Sequence, residues 1–201
     1  MDWMQIFTLV TGVLYIIYEI RQKNFMWVVG IATSLAAMWV FFRQGLYASF
    51  GLNTYYFITA FIGLRHWTRD KKALTESVDS EGDTIVLNKL SLKTVLVSSF
   101  VVAAGSVLLS KGMNLLHEAG ILAENPMSLL DSVTAVLSAV ATWWLVKSYR
   151  AQWWLWILAD TLSVLLCALQ GMWWMAALYL VYVASAVYGL SYWKKHGVYL
   201  N

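Results

Sequence analysis

The sequence predicts an all-α membrane protein: seven spanning helices, arranged as two parallel three-helix repeats joined by a linker helix. Three observations carry this expectation: the composition, the spacing of the apolar segments, and an internal repeat of 126 residues. Of 201 residues, 60% are apolar and only 12% charged, and the mean hydropathy is +0.63. An ordinary soluble domain is roughly 25% charged, and a soluble chain of this length cannot hide so much apolar surface in one core. Low charge and 12 Trp also exclude a disordered chain, a coiled coil and a nucleic-acid module. The single Cys167 excludes an intrachain disulfide and a thiolate metal cluster.

Seven apolar segments are bounded by charges or turn residues: Met4–Ile20, Phe25–Phe42, Tyr47–Trp67, Thr94–Ser110, Leu129–Val146, Trp153–Leu169 and Met172–Trp193. Helices of about 17 to 25 residues cross a hydrocarbon layer of about 30 Å. The first segment lacks a basic leader and a small-residue cleavage site, so it reads as a span and not a signal peptide. Pro126 is the only proline, which predicts uninterrupted helices. Residues 21–24, 43–46 and 170–171 are tight turns. Residues 68–93 form a polar, charged loop, and residues 111–128, with Leu115, Leu116, Ile121 and Leu122, read as an interfacial connection. The division is therefore a first three-helix bundle (1–67), a loop–linker–loop region (68–128, linker helix 94–110) and a second bundle (129–201).

Of the 14 basic residues, all but Arg43 and Lys111 fall on one side of this arrangement. That side is expected to be cytoplasmic. The N-terminus is then outside and the C-terminus inside, as seven spans require.

A shift of 126 residues superposes the two bundles without a gap. Thr8 falls on Thr134, Arg21 on Lys147, Trp27 on Trp153, Gln44 on Gln170 and Gly45 on Gly171. Leu52, Tyr56 and Ala60 fall on Leu178, Tyr182 and Ala186, and Gly63, Leu64 and Trp67 fall on Gly189, Leu190 and Trp193. One linker helix returns the chain to its starting side, so the two triplets run parallel. Parallel repeats are a transporter architecture, with substrate between the halves near the midplane.

Asp160 lies near the middle of the sixth span, and no Lys or Arg lies at comparable depth. A carboxylate there is expensive unless paired, hydrated or protonated. A cationic ligand or a proton fits, and a protonated acid bonded to a neighbouring helix is the plain alternative. Trp153, Trp156 and Asp160 share one helical face, at about 0, 300 and 340 degrees. Two indoles and a carboxylate suit a flat cationic ring, although an interfacial aromatic belt accounts equally for a Trp at the helix start. On the third and seventh helices, Asn53, Tyr56, Ala60, Gly63 and Trp67 form one stripe, and Tyr179, Tyr182, Ala186, Gly189 and Trp193 form its counterpart. The small residues allow close helix packing. The polar ones have either a helix–helix bond or a ligand to make. The repeat breaks where a ligand would break it: Asn53 opposes Tyr179, Ser34 opposes Asp160, and Gly30 opposes Trp156.

Glu19, beside Arg21 and Lys23, reads as a solvated flank, and His66, His117 and His196 have no ligand-like spacing. There is no pattern for a metal, nucleotide or other cofactor, and no ion coupling is visible. An intramembrane enzyme would need a second acid, a nucleophile or a metal at the depth of Asp160, and none is apparent. A non-transporting assembly or sensor subunit would leave the two triplets without a role.

The run Gln152-Trp153-Trp154-Leu155-Trp156 with Asp160, followed by Gln170-Gly171, Tyr179, Tyr182, Gly189 and Trp193, resembles the C-terminal half of the PnuC-type vitamin transporters. Gly45-Leu46-Tyr47-Ala48 through Asn53, Tyr55-Tyr56 and Gly63 resembles their N-terminal half. The resemblance implies a seven-helix core related to the SWEET proteins. It implies uptake across a bacterial inner membrane by facilitated diffusion, with the vitamin trapped inside by phosphorylation. Homotrimers are implied by the fold's relatives. Nicotinamide riboside members tend to carry an amide matching Asp160 and a glutamine matching Asn53. The Asp and Asn of this chain resemble the thiamine-transporting PnuT branch. Thiamine is therefore the first expectation and nicotinamide riboside the alternative, both being aromatic cations. The implied substrate-binding residues are Asn53, Tyr56, Trp153, Trp156, Asp160, Tyr179 and Tyr182, with membrane lipid as the surrounding partner.

Overall fold

In the computed structural model, residues 15–43, 47–77, 84–122 and 125–200 are described. Residues 4–14 of the expected first span, Thr8 among them, and the turn residues Gln44, Gly45 and Leu46 lie outside the described residues. Among the described residues seven helices follow one another: α1 (residues 15–20), α2 (Phe25–Arg43), α3 (Tyr47–Ser77), α4 (Leu92–Glu118), α5 (Ser128–Val146), α6 (Gln152–Leu169) and α7 (Trp173–His196). Two short strands are also described, β1 (Ile85–Leu87) and β2 (Gly197–Tyr199). Helices α4 to α7 are each long and apolar enough to cross a membrane. Outward side chains such as Phe100, 71% exposed on α4, and Trp154, 62% exposed on α6, suit contact with lipid. Two compact units divide the chain. The first holds residues 1–88, 145–148 and 192–201; the second holds 89–144 and 149–191.

Two helices overrun their expected ends. α3 continues past Trp67 to Ser77, because Lys71, Lys72, Ala73 and Leu74 are good helix formers and because this segment is anchored. Asp70, 4% exposed, meets His66 Nε2 at 3.3 Å, and Leu74 is 5% exposed. α4 starts two residues early, where the Ser91 hydroxyl accepts from the Thr94 N–H at 3.1 Å. It then runs into the expected interfacial segment and ends at Glu118. Apolar length marks where a helix leaves the bilayer, not where it stops.

The fold is helical as expected, but the polar loop expected over 68–93 contains a short strand, β1. Ile85, Val86 and Leu87 are at most 1% exposed and pair in parallel with Gly197, Val198 and Tyr199. Glu19 is also corrected: it is 6% exposed, not a solvated flank.

The strand pair is held by a turn that recurs in the repeat. After α1, Lys23 N–H bonds Tyr18 O and Gln22 N–H bonds Glu19 O; after α5, Tyr149 N–H bonds Trp144 O and Ser148 N–H bonds Leu145 O. These are Schellman turns, which usually put glycine at the left-handed position, as Gly120 and Gly171 do after α4 and α6. Here Gln22 (φ 49°) and Ser148 (φ 54°) stand there instead, 126 residues apart. Their side chains explain the exception. Gln22 Nε2 donates to Ser148 Oγ at 3.1 Å and to Val86 O at 2.9 Å, while Gln22 Oε1 accepts from Val86 N–H at 2.8 Å. The amide thus acts as a third strand beside β1. The exchange continues at the helix ends. Trp67 Nε1 donates to Leu145 O at 3.1 Å, and Trp193 Nε1 donates to Ile20 O at 2.9 Å. Each third-helix Trp bonds the end of the other repeat's first helix.

Gln22→Ala is expected to orphan both backbone groups of Val86 and to keep the strained turn. The expected loss is about 3 kcal/mol, read as a lower unfolding midpoint in detergent. An unchanged midpoint would show that the clasp contributes nothing.

Candidate substrate-binding site

The second unit carries five of the seven expected site residues, on α6 and α7. Asp160 falls at the middle of α6 and is 8% exposed. Among the described residues it makes no hydrogen bond and no ion pair. Its counterpart Ser34, 4% exposed, satisfies itself by donating to Gly30 O on its own helix. A carboxylate has no proton to donate to the preceding turn, so Asp160 lacks that remedy. Tyr179 and Tyr182 lie within electrostatic reach of Asp160. Their rings meet edge to face, with centroids 5.8 Å apart and planes at 90°. Both are half-buried.

The two expected indoles differ. Trp153 is 2% exposed and lies flat against Gly189 of α7, so close that an added Cβ there would stand 2.5 Å from its Cη2. Trp27 lies against Gly63 in the same way, also at 2.5 Å. The repeat therefore conserves a Trp-on-Gly contact between the second and third helix of each triplet. Trp153 fixes the α6–α7 spacing with one ring face. Trp156 is half-buried, and its buried Nε1 has no hydrogen-bond partner among the described residues.

Asn53 and Tyr56 belong to the first unit, half-buried on α3. Tyr56 stacks obliquely with Tyr55, at 5.6 Å and 58°. Below them Ala60 and Trp67 are 3% and 1% exposed, so the stripe expected from the sequence faces the protein interior. On α7, Ala186 and Trp193 are 3% and 0% exposed, as the repeat requires.

One buried polar residue was not among the expected binding residues. Gln152 is 0% exposed, and neither atom of its amide has a hydrogen-bond partner among the described residues. The available signal was its counterpart Met26, an apolar side chain where the second half has an amide.

A polytopic helical protein with a buried acid among indole and phenol rings falls in the class of small-solute membrane transporters. Over residues 2–195 it matches the nicotinamide mononucleotide transporter family, and the chain belongs to that family. It is 28% identical to the nicotinamide riboside transporter PnuC of Neisseria mucosa, over 96% of this chain and 73% of that protein. It is 24% identical to the PnuC of Haemophilus influenzae, over 96% and 80% of the two chains. The crystal structure of the vitamin B3 transporter PnuC shares the fold: TM-score 0.63, 23% identity, covering 94% of this chain and 79% of that one. The PnuC-type likeness read from the sequence is thus shown. The relatives named here are called nicotinamide riboside transporters, not thiamine transporters. The expected preference for thiamine loses ground to its alternative.

Proposed function

We propose that this protein takes up an aromatic cationic vitamin by facilitated diffusion, with nicotinamide riboside as the substrate. The observation that carries the reading is Asp160, buried at mid-helix with no counter-charge among the described residues. A pyridinium ring supplies that charge. Trp156 and Trp153 offer aromatic surface, and Asn53, Tyr56, Tyr179 and Tyr182 offer hydrogen bonds to ribose and carboxamide. The names of the relatives support this substrate. In this reading the two parallel triplets are joined by a SWEET-like linker helix, in a bacterial inner membrane. The basic side faces the cytoplasm, and three copies form a trimer. Rocking of the triplets exposes the substrate to each side in turn, and phosphorylation inside the cell keeps it there.

A second substrate, thiamine, is favoured by one feature. Asp160 is an acid, able to meet a thiazolium directly or to accept from an aminopyrimidine. A titration of purified protein with both vitamins in parallel separates the two, with Trp fluorescence as readout. Saturable quenching by nicotinamide riboside at the lower concentration is expected. Tighter quenching by thiamine would reverse the assignment, and no response to either would remove the site.

A further inference from the structure

We propose that Gln152 is a second polar contact for the substrate on α6, met as the ring leaves Asp160; the inference rests on the transport reading above. Gln152, Trp156 and Asp160 are spaced i, i+4, i+8, so they form one slowly drifting row along the helix. Among the described residues, both atoms of the fully buried Gln152 amide and the buried Trp156 indole N–H have no hydrogen-bond partner, and the Asp160 side chain, 8% exposed, makes no hydrogen bond or ion pair. Buried polar groups without partners are rare, and each invites a water or a ligand. The equivalent row in the first repeat offers nothing of the kind. Met26 is apolar, Gly30 has no side chain, and Ser34 bonds its own helix. Three unmet groups in one row of one repeat, against none in its twin, mark a path lined on one side.

The chemistry of Gln152 differs from that of Asp160. An amide offers a donor pair and an acceptor, suited to a hydroxyl, carboxamide or amino group and not to a cation. Eight residues along the helix separate the two by about 12 Å, too far for one aromatic ring to touch both. Gln152 also sits at the α6 end beside Lys147 and Arg150, the end that the charge distribution assigns to the cytoplasm. The amide therefore takes the neutral polar substituent of the substrate during release, after the ring has left the acid.

The test is Gln152→Met in proteoliposomes, with equilibrium binding and the unfolding midpoint measured alongside uptake of nicotinamide riboside and thiamine. Met26 is 0% exposed, so methionine is accommodated at the repeat-related position. Loss of one hydrogen bond on the release path predicts uptake about tenfold slower, with the dissociation constant within about twofold of wild type. The midpoint should stay or rise, because an orphaned amide gives way to an apolar chain. Gln152→Asn, which keeps an amide, should recover part of the rate. Unchanged uptake in Gln152→Met overturns the proposal. So does a fall in uptake matched by a fall in midpoint in both variants, which would make Gln152 an element of the fold. Wild-type protein that carries neither vitamin contradicts the transport reading itself, a result distinct from either.

Discussion

Gly189→Ala is expected to lower the unfolding midpoint sharply, although it adds a single methyl group inside a helix. That methyl would stand 2.5 to 2.7 Å from three ring carbons of Trp153. Trp153 is 2% exposed, so its indole has no room to slide. Overpacking of this kind costs about 1–3 kcal/mol, and a clash with a rigid ring belongs at the upper end. Gly63→Ala should do the same through Trp27, with the same three distances. Gly51→Ala is the matched control on α3: nothing lies within 4 Å of its added Cβ. Replacing that glycine should be neutral or slightly stabilising, since alanine is the better helix former. Three thermal melts in detergent decide the matter. Equal midpoints for all three variants would show that the Trp-on-Gly contacts do not set the helix spacing.

Asp160→Ala should separate binding from stability. Truncating one partner of a desolvated charge pair costs about 2–5 kcal/mol, so substrate affinity should fall by roughly thirtyfold or more. The empty protein should behave in the opposite sense. Asp160 makes no hydrogen bond or ion pair among the described residues, and removing an unpaired buried acid relieves a desolvation penalty. The midpoint without substrate should therefore hold or rise, and the stabilisation by added vitamin should vanish. Such a trade of stability for function is common at binding sites. Asp160→Asn refines the result. An amide keeps an acceptor but not the charge, so a substrate held mainly by hydrogen bonds would retain more affinity than one held by its cation. A variant that binds less well and also melts earlier would place Asp160 in the fold and not in the site.

The helices were legible because apolar length is a local property. α2, α5, α6 and α7 begin and end within three residues of expectation, since charges and turn residues flank them directly. The overrun of α3 to Ser77 was not legible, because its last residues are anchored through buried Asp70 and Leu74 and not by lipid. β1 was hidden for a different reason. Three apolar residues inside a polar loop find their partners more than a hundred residues away, at Gly197 to Tyr199, and parallel pairing leaves no local turn to read. The left-handed turns at Gln22 and Ser148 carry no glycine to announce them. The 126-residue repeat nevertheless put Gln22 on Ser148, and these two side chains meet. Within the candidate site, the row of Trp156 and Asp160 and the stripe of Tyr179 and Tyr182 followed from helical spacing alone. The close seat of Trp153 on Gly189 did not, because spacing gives a direction and not a distance. Gln152 looked like an ordinary polar residue at a helix start until its burial was known.

The most direct measurement is counterflow in proteoliposomes, with labelled nicotinamide riboside outside, unlabelled vitamin inside, and neither ATP nor an ion gradient. Rapid entry of label with wild-type protein, and none with Asp160→Ala, is the predicted result. Equal exchange by the two proteins, or entry only when an energy source is supplied, would contradict a passive carrier whose cargo is held by that acid.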